Sequence, residues 1–111
     1  MEFANKSAQP DLTAALAGLW TRFLPEIRDR VAILESAIRS LGSGSLATDE
    51  REAAHSAAHK LAGTLGTFGL EQGTLLAREL ELAFSADSTS VSPQRLSAAA
   101  AALRTMIESR R

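Results

Sequence analysis

Two histidines stand one helical turn apart at positions 55 and 59, and Gly63, Gly66 and Gly69 follow the second. Imidazole is the side chain that titrates between pH 5 and 8 when unperturbed, so its neutral form can attack phosphorus or serve as a general base. Glycine inside a helix costs roughly 0.5–1 kcal/mol relative to alanine. In a chain this rich in alanine, glycine at 63 and 66 therefore argues that bare backbone is useful beside His59. At 100° per residue, Ala54, Ala57, Ala58, Leu65 and Phe68 fall within about 60° of Leu61 and make a buried stripe. His59 lies about 160° from Leu61, nearly opposite the core, and Gly63 and Gly66 project within about 40° of it. A partner can approach this surface closely.

The other polar residues nearby constrain the chemistry. Glu52, His55 and His59 share one helix face, but the chain has no cysteine and nothing nearby in sequence supplies a further ligand, so no metal site is expected. His55 is read as a flanking residue that helps shape a docking surface. Lys60 is about 100° round the helix from His59, so it either reaches phosphate charge through its flexible stem or is simply solvated. A convex helix face lacks the enclosure in which a general base usually works. His59 is therefore expected to be half of a reaction whose other half arrives on another protein.

Composition bounds what can hold this site. The chain has 111 residues and is 45% hydrophobic, enough for one compact domain with a single core. Twelve Lys and Arg against thirteen Asp and Glu leave a net charge of −1 and no basic patch for nucleic acid. The absence of cysteine fits a reducing, cytoplasmic setting. No apolar run approaches a membrane span, and residues 1–10 lack the apolar core of a signal peptide, so they are expected to be a disordered linker or cloning remnant ahead of a domain over 11–111.

Periodicity supplies the elements. Trp20, Leu24, Ile27, Val31, Leu34, Ile38 and Leu41 are spaced alternately four and three apart, the pattern of a long amphipathic helix. Gly18 and Pro25 predict a short separate helix over about 11–18 and an early kink or start for the long one. After a loop at Gly42–Ser45, Thr48 is positioned to cap the helix carrying His59, with Asp49 and Glu50 suiting its positive end. Thr67–Gly69 reads as a turn. A further helix follows over about 70–84, with Gly73, Leu76, Leu80 and Ala83 on one face. Ser85–Ser92 reads as a polar loop, and Ser92 with Pro93 opens a last helix to about Ser109, apolar at Leu96, Ala99, Ala100, Leu103 and Ile107. The expected fold is all-α: an antiparallel up-and-down four-helix bundle with a short extra N-terminal helix.

The segment from Ala58 to Gly69 closely resembles the phosphohistidine motif of histidine-containing phosphotransfer (HPt) domains. In that motif the histidine is followed by a hydrophobic residue at the second position and glycines at the fourth and tenth, the places of Leu61, Gly63 and Gly69. The match continues to Leu80 and Glu81. The resemblance implies that His59 is the phosphoacceptor, Gly63 the clearance for a receiver domain's aspartate and Gly69 the turn into the next helix. It also makes Glu81 a candidate to orient the ring. The family often has lysine three positions after the histidine. This chain has Ala62 there and its nearest lysine at Lys60.

The resemblance thus implies a phosphorelay carrier. His59 would take a phosphoryl group from a receiver-domain aspartyl phosphate, or from a histidine kinase, and pass it to another response-regulator receiver. Lys60, Gly63 and Glu81 would support it, and His55, Ser56, Ala62 and Gly66 would lie on the docking surface. No cofactor is expected in the domain itself, with Mg²⁺ supplied by the partner receiver, and no autonomous kinase activity. The domain is expected to be a cytoplasmic monomer with no nucleic-acid or membrane partner. Two alternatives stay open: a non-catalytic helical adaptor bundle, and the N-terminal phosphotransfer domain of a chemotaxis-type kinase.

Overall fold

A computed structural model describes residues 2–85 and 92–110, with side chains from residue 12 onward. Among these residues there are four helices and no strand: α1 (Glu2–Gly42), α2 (Thr48–Thr67), α3 (Glu71–Ala83) and α4 (Pro93–Ser109). Each packs on its neighbours in a closed ring, α1 on α2, α2 on α3, α3 on α4 and α4 back on α1. Cross-helix contacts fix the directions. Trp20 meets Phe68 while Ser40 meets Glu50, so α1 and α2 run antiparallel; Arg28–Glu108 and Glu35–Arg104 set α4 antiparallel to α1 in the same way. This is the up-and-down bundle that the periodicity implied. None of the helices is long and apolar enough, over the described residues, to cross a membrane.

The short separate N-terminal helix does not exist as an element, because α1 runs unbroken through Gly18 and Pro25. Pro25 lacks the amide hydrogen that would meet the Thr21 carbonyl, a local penalty of about 3 kcal/mol in a helix interior. Trp20, Ile27, Val31 and Leu34, all on one side of α1 and spanning the proline, are each at most 3% exposed. Burying such side chains contributes about 1.5–3 kcal/mol apiece, so packing outweighs the local breaker. Residues 2–10, expected as a linker, are the first turns of α1, whereas most of the expected 85–92 loop lies outside the described residues.

The helix ends follow two different rules. Ser92 caps α4 as its sequence suggests, accepting from the Arg95 amide at 3.4 Å with Pro93 in the first turn. Thr48, by contrast, is the first residue of α2; its N-cap is Ala47 and makes no side-chain cap. Asp49 and Glu50 do sit in that first turn, where negative charge meets the exposed amides, and Glu50 also accepts a hydrogen bond from Ser40 Oγ at 2.8 Å. This end of α2 is favoured by acidic side chains in its first turn rather than by a capping side chain.

The core is aliphatic and small-residue rich, running from Trp20 and Phe68 at one end through Leu34, Leu61, Leu80 and Leu103. Gly73 lets α3 approach closely: a Cβ there would lie 3.0 Å from Leu65 Cδ1 and 3.1 Å from Met106 Sδ. On the α1–α4 surface, Arg104 clasps Glu35 with two bonds of 2.8 and 2.9 Å, and Arg28 holds Glu108 at 2.7 and 2.6 Å. The hydrogen bond from Arg104 holds the Glu35 carboxyl below the usual carboxylate range, and that from Arg28 does the same for Glu108.

Candidate functional site

The site is built on the α2–α3 hairpin. Gly69 takes φ +73°, a conformation that a side chain disfavours, and two bonds close the end of α2: Gly69 N–H donates to Gly66 O at 3.0 Å and Leu70 N–H to Leu65 O at 2.9 Å. This is the paired C-terminal closure that a left-handed glycine permits. It reverses the chain sharply enough for α3 to run straight back along α2. Residues equally distant from Leu70 then face each other, so Gly66 meets Thr74 and His59 meets Glu81.

His59 stands clear of the core with its side chain 70% exposed, and its Nδ1 lies 2.8 Å from Glu81 Oε2. A carboxylate can only accept, so Nδ1 carries a proton, and in the neutral ring Nε2 is then the nitrogen with the lone pair. Glu81 is only 21% exposed, held down between the two helices. The imidazole is thus oriented through one nitrogen while the other remains free for reaction.

The surroundings are low. A Cβ built at Gly63 would meet nothing within 4 Å, and one at Gly66 only Thr74 Oγ1 at 3.6 Å. Both glycines and Ser56 are exposed and His55 is half-buried, with its Nε2 4.0 Å from the same Glu81 oxygen. Lys60 is exposed and turns the other way, into an open groove of about 440 Å³ between α1 and α2 lined also by Phe23, Arg30, Gly63 and Thr67. Among the described residues, no cluster of three or more His, Asp or Glu side chains is arranged to hold a metal ion.

Ala62 does not belong to this surface. It is 3% exposed and packs into the core, because the bundle covers a wider arc of α2 than the stripe centred on Leu61 suggested. The small residues that clear the imidazole are Gly63 and Gly66. Two features of the site were not read from sequence: the second imidazole reaching Glu81, and the groove with Phe23 at its edge. The first had a signal, since Glu81 and His59 are equidistant from the turn and His55 lies one turn further along the face. The second had none, because Phe23 joins Gly63 only through the packing of α1 on α2.

Comparison with known proteins bears on the whole fold. Residues 18–111 match the family model described as the Hpt domain. Protein RcaC of Microchaete diplosiphon is 40% identical over 74 residues, which are 67% of this chain and 11% of that protein, so the chain spans about a tenth of its relative's length. No solved structure matches significantly.

Proposed function

Since this chain belongs to the Hpt domain family and has a phosphotransfer role in two-component phosphorelay signalling, we propose that His59 is the phosphoryl carrier. The observation that carries this reading is the 2.8 Å contact between His59 Nδ1 and Glu81, which in the neutral ring puts the lone pair on Nε2, the nitrogen facing away from the carboxylate on an open surface. In the transfer, the Nε2 lone pair attacks the phosphorus of an aspartyl phosphate on a receiver domain. The bond from phosphorus to the aspartate oxygen breaks, and its electron pair leaves with the aspartate carboxylate. The ring gains positive charge as the new bond forms, and Glu81 stabilises that charge through the Nδ1 proton. Onward transfer reverses these steps on a second receiver.

The division of labour follows from what the domain offers. Gly63 and Gly66 let a receiver bring its aspartate against Nε2, with Ser56 and His55 bordering the contact. Lys60, turned toward α1, is assigned to contact with the partner rather than to the phosphoryl group. Glu81 is already engaged by imidazole, so Mg²⁺ is assigned to the receiver, and this domain works in the cytoplasm as a monomer meeting receivers and a histidine kinase transiently. Incubation with phosphoramidate or a phosphorylated receiver tests the assignment. Wild type should take up an acid-labile, base-stable label, and His59→Gln should take up none; equal labelling of the two would refute it.

A further inference from the structure

Holding one nitrogen of an imidazole also aims the other. Nδ1 of His59 is held toward α3 by Glu81 at 2.8 Å, and Nε2 sits across the five-membered ring from it, so Nε2 faces outward and away from α3. The residues one turn back along α2 divide around that ring. At 100° per residue, His55 falls about 40° to one side of His59 and Ser56 about 60° to the other. The His55 side is the α3 side, because His55 Nε2 lies 4.0 Å from the same Glu81 oxygen. Ser56 is therefore on the side toward which Nε2 is turned. Helical side chains lean toward the N-terminus, and residues three apart have Cβ atoms about 5–6 Å from each other, so a phosphoryl group on Nε2 extends over Ser56.

The Ser56 hydroxyl is available for that group. It is exposed and makes no hydrogen bond to another described residue, although a hydroxyl in a helix can donate to the carbonyl four residues back, as Thr67 and Thr74 do at 3.0 Å. Around Nε2, Lys60 turns into the α1 groove and Gly63 has no side chain to offer. We propose that Ser56 is a catalytic residue of the transfer, its hydroxyl donating a hydrogen bond to an oxygen of the phosphoryl group that Nε2 receives. The inference rests on His59 being the carrier. As the bond from Nε2 to phosphorus forms and the bond to the aspartate oxygen breaks, the phosphoryl oxygens stay negative and gain this donor. Ser56 shares its proton without losing it, so it ends the step as it began. The hydrogen bond is absent until the phosphoryl group arrives, and it therefore favours the transition state over the reactants. One rotatable bond aims the hydroxyl, so less side-chain freedom is lost than in fixing the stem of a lysine.

The test compares labelling of the full chain by phosphoramidate with transfer from a phosphorylated receiver domain. Ser56→Ala should slow both by about fivefold, within what one hydrogen bond contributes, with helicity by circular dichroism unchanged. Ser56→Thr keeps the hydroxyl and should label with phosphoramidate within about twofold of wild type. The ³¹P resonance of the phosphorylated domain should move in Ser56→Ala, as the loss of a donor to the group requires. Wild-type labelling of Ser56→Ala by phosphoramidate overturns the proposal, and slowing of the receiver reaction alone would make Ser56 a docking residue instead. Equal slowing of Ser56→Thr and Ser56→Ala with phosphoramidate overturns it as well, since the hydroxyl would then not be the cause. In each of these cases an unlabelled His59→Gln leaves the carrier assignment standing. An acid-stable label kept by His59→Gln and lost in Ser56→Ala would make Ser56 itself the acceptor and overturn both.

Discussion

Two faces of the bundle use the same geometry for different ends. On the α1–α4 face, Glu35 and Glu108 receive hydrogen bonds of 2.6–2.9 Å from Arg104 and Arg28 across the helix boundary. On the α2–α3 face, Glu81 receives one of 2.8 Å from His59. The distances barely differ, but the donors do. A guanidinium has no lone pair and stays charged at any pH the protein meets, so the first pairs can only fasten helices. Imidazole has two unlike nitrogens; binding one to a carboxylate defines the other as a base and nucleophile. Chemistry enters the fold where the donor can give up its charge.

The largest test of that contrast is to make the second face like the first. His59→Arg should keep the contact with Glu81 and leave the thermal midpoint within a few degrees of wild type while abolishing phosphorylation, as phosphoramidate labelling and a melting curve would report. Any residual base-stable label on this variant would mean that another residue accepts the group.

Removing the carboxylates comes next. Glu81→Gln keeps the shape but loses the charge that steadies the ring, and phosphorylation should slow by about 10–100-fold, the worth of one hydrogen bond to a charged group. Arg104→Met on the opposite face should lower stability by about 1 kcal/mol or less and leave the labelling rate unchanged. If the two variants affected labelling alike, the distinction between a fastening and a reacting pair would fail.

Gly63→Gln probes the surface rather than the ring. A side chain in that open space should slow transfer from a receiver domain about tenfold, yet leave labelling by the small donor phosphoramidate within twofold, with helicity by circular dichroism unchanged. Equal slowing with both donors would show that the glycine acts on the imidazole itself rather than on the approach of a partner.

The smallest effect is on acid stability. Glu35 and Glu108 are held below the usual carboxylate range by Arg104 and Arg28, so they bind protons more weakly folded than unfolded. Their contribution is complete above the unfolded value and is lost as pH falls through the folded one, below about pH 4. Denaturant titrations should show a shallow fall in stability there, and Glu35→Gln should flatten part of it. A wild-type stability that is level from pH 5 to pH 3 would contradict the assignment.

Much of the fold was legible because periodicity reports burial directly. The stripe from Trp20 to Ile38 marked α1's packed side, and Ser92 with Pro93 marked the start of α4. Gly18 and Pro25 misled because propensity is local, whereas the helix was decided by side chains buried on both sides of the break. Ala62 misled for a related reason. A helical projection gives a residue's direction but not the width of the surface that covers it, and α2 is flanked by both α1 and α3.

By itself, the sequence determined the all-α architecture, the outward direction of His59, the bare glycine surface beside it and the turn at Gly69, because each depends on one residue's backbone or one helix's period. Only the tertiary structure decided that α1 is one helix, that Ala62 is core, and that a single oxygen of Glu81 meets both His59 and His55. Those depend on how two helices lie against each other. A distance of 2.8 Å as against 4.0 Å between side chains on separate helices is set by packing across the bundle, which no single helix's periodicity encodes.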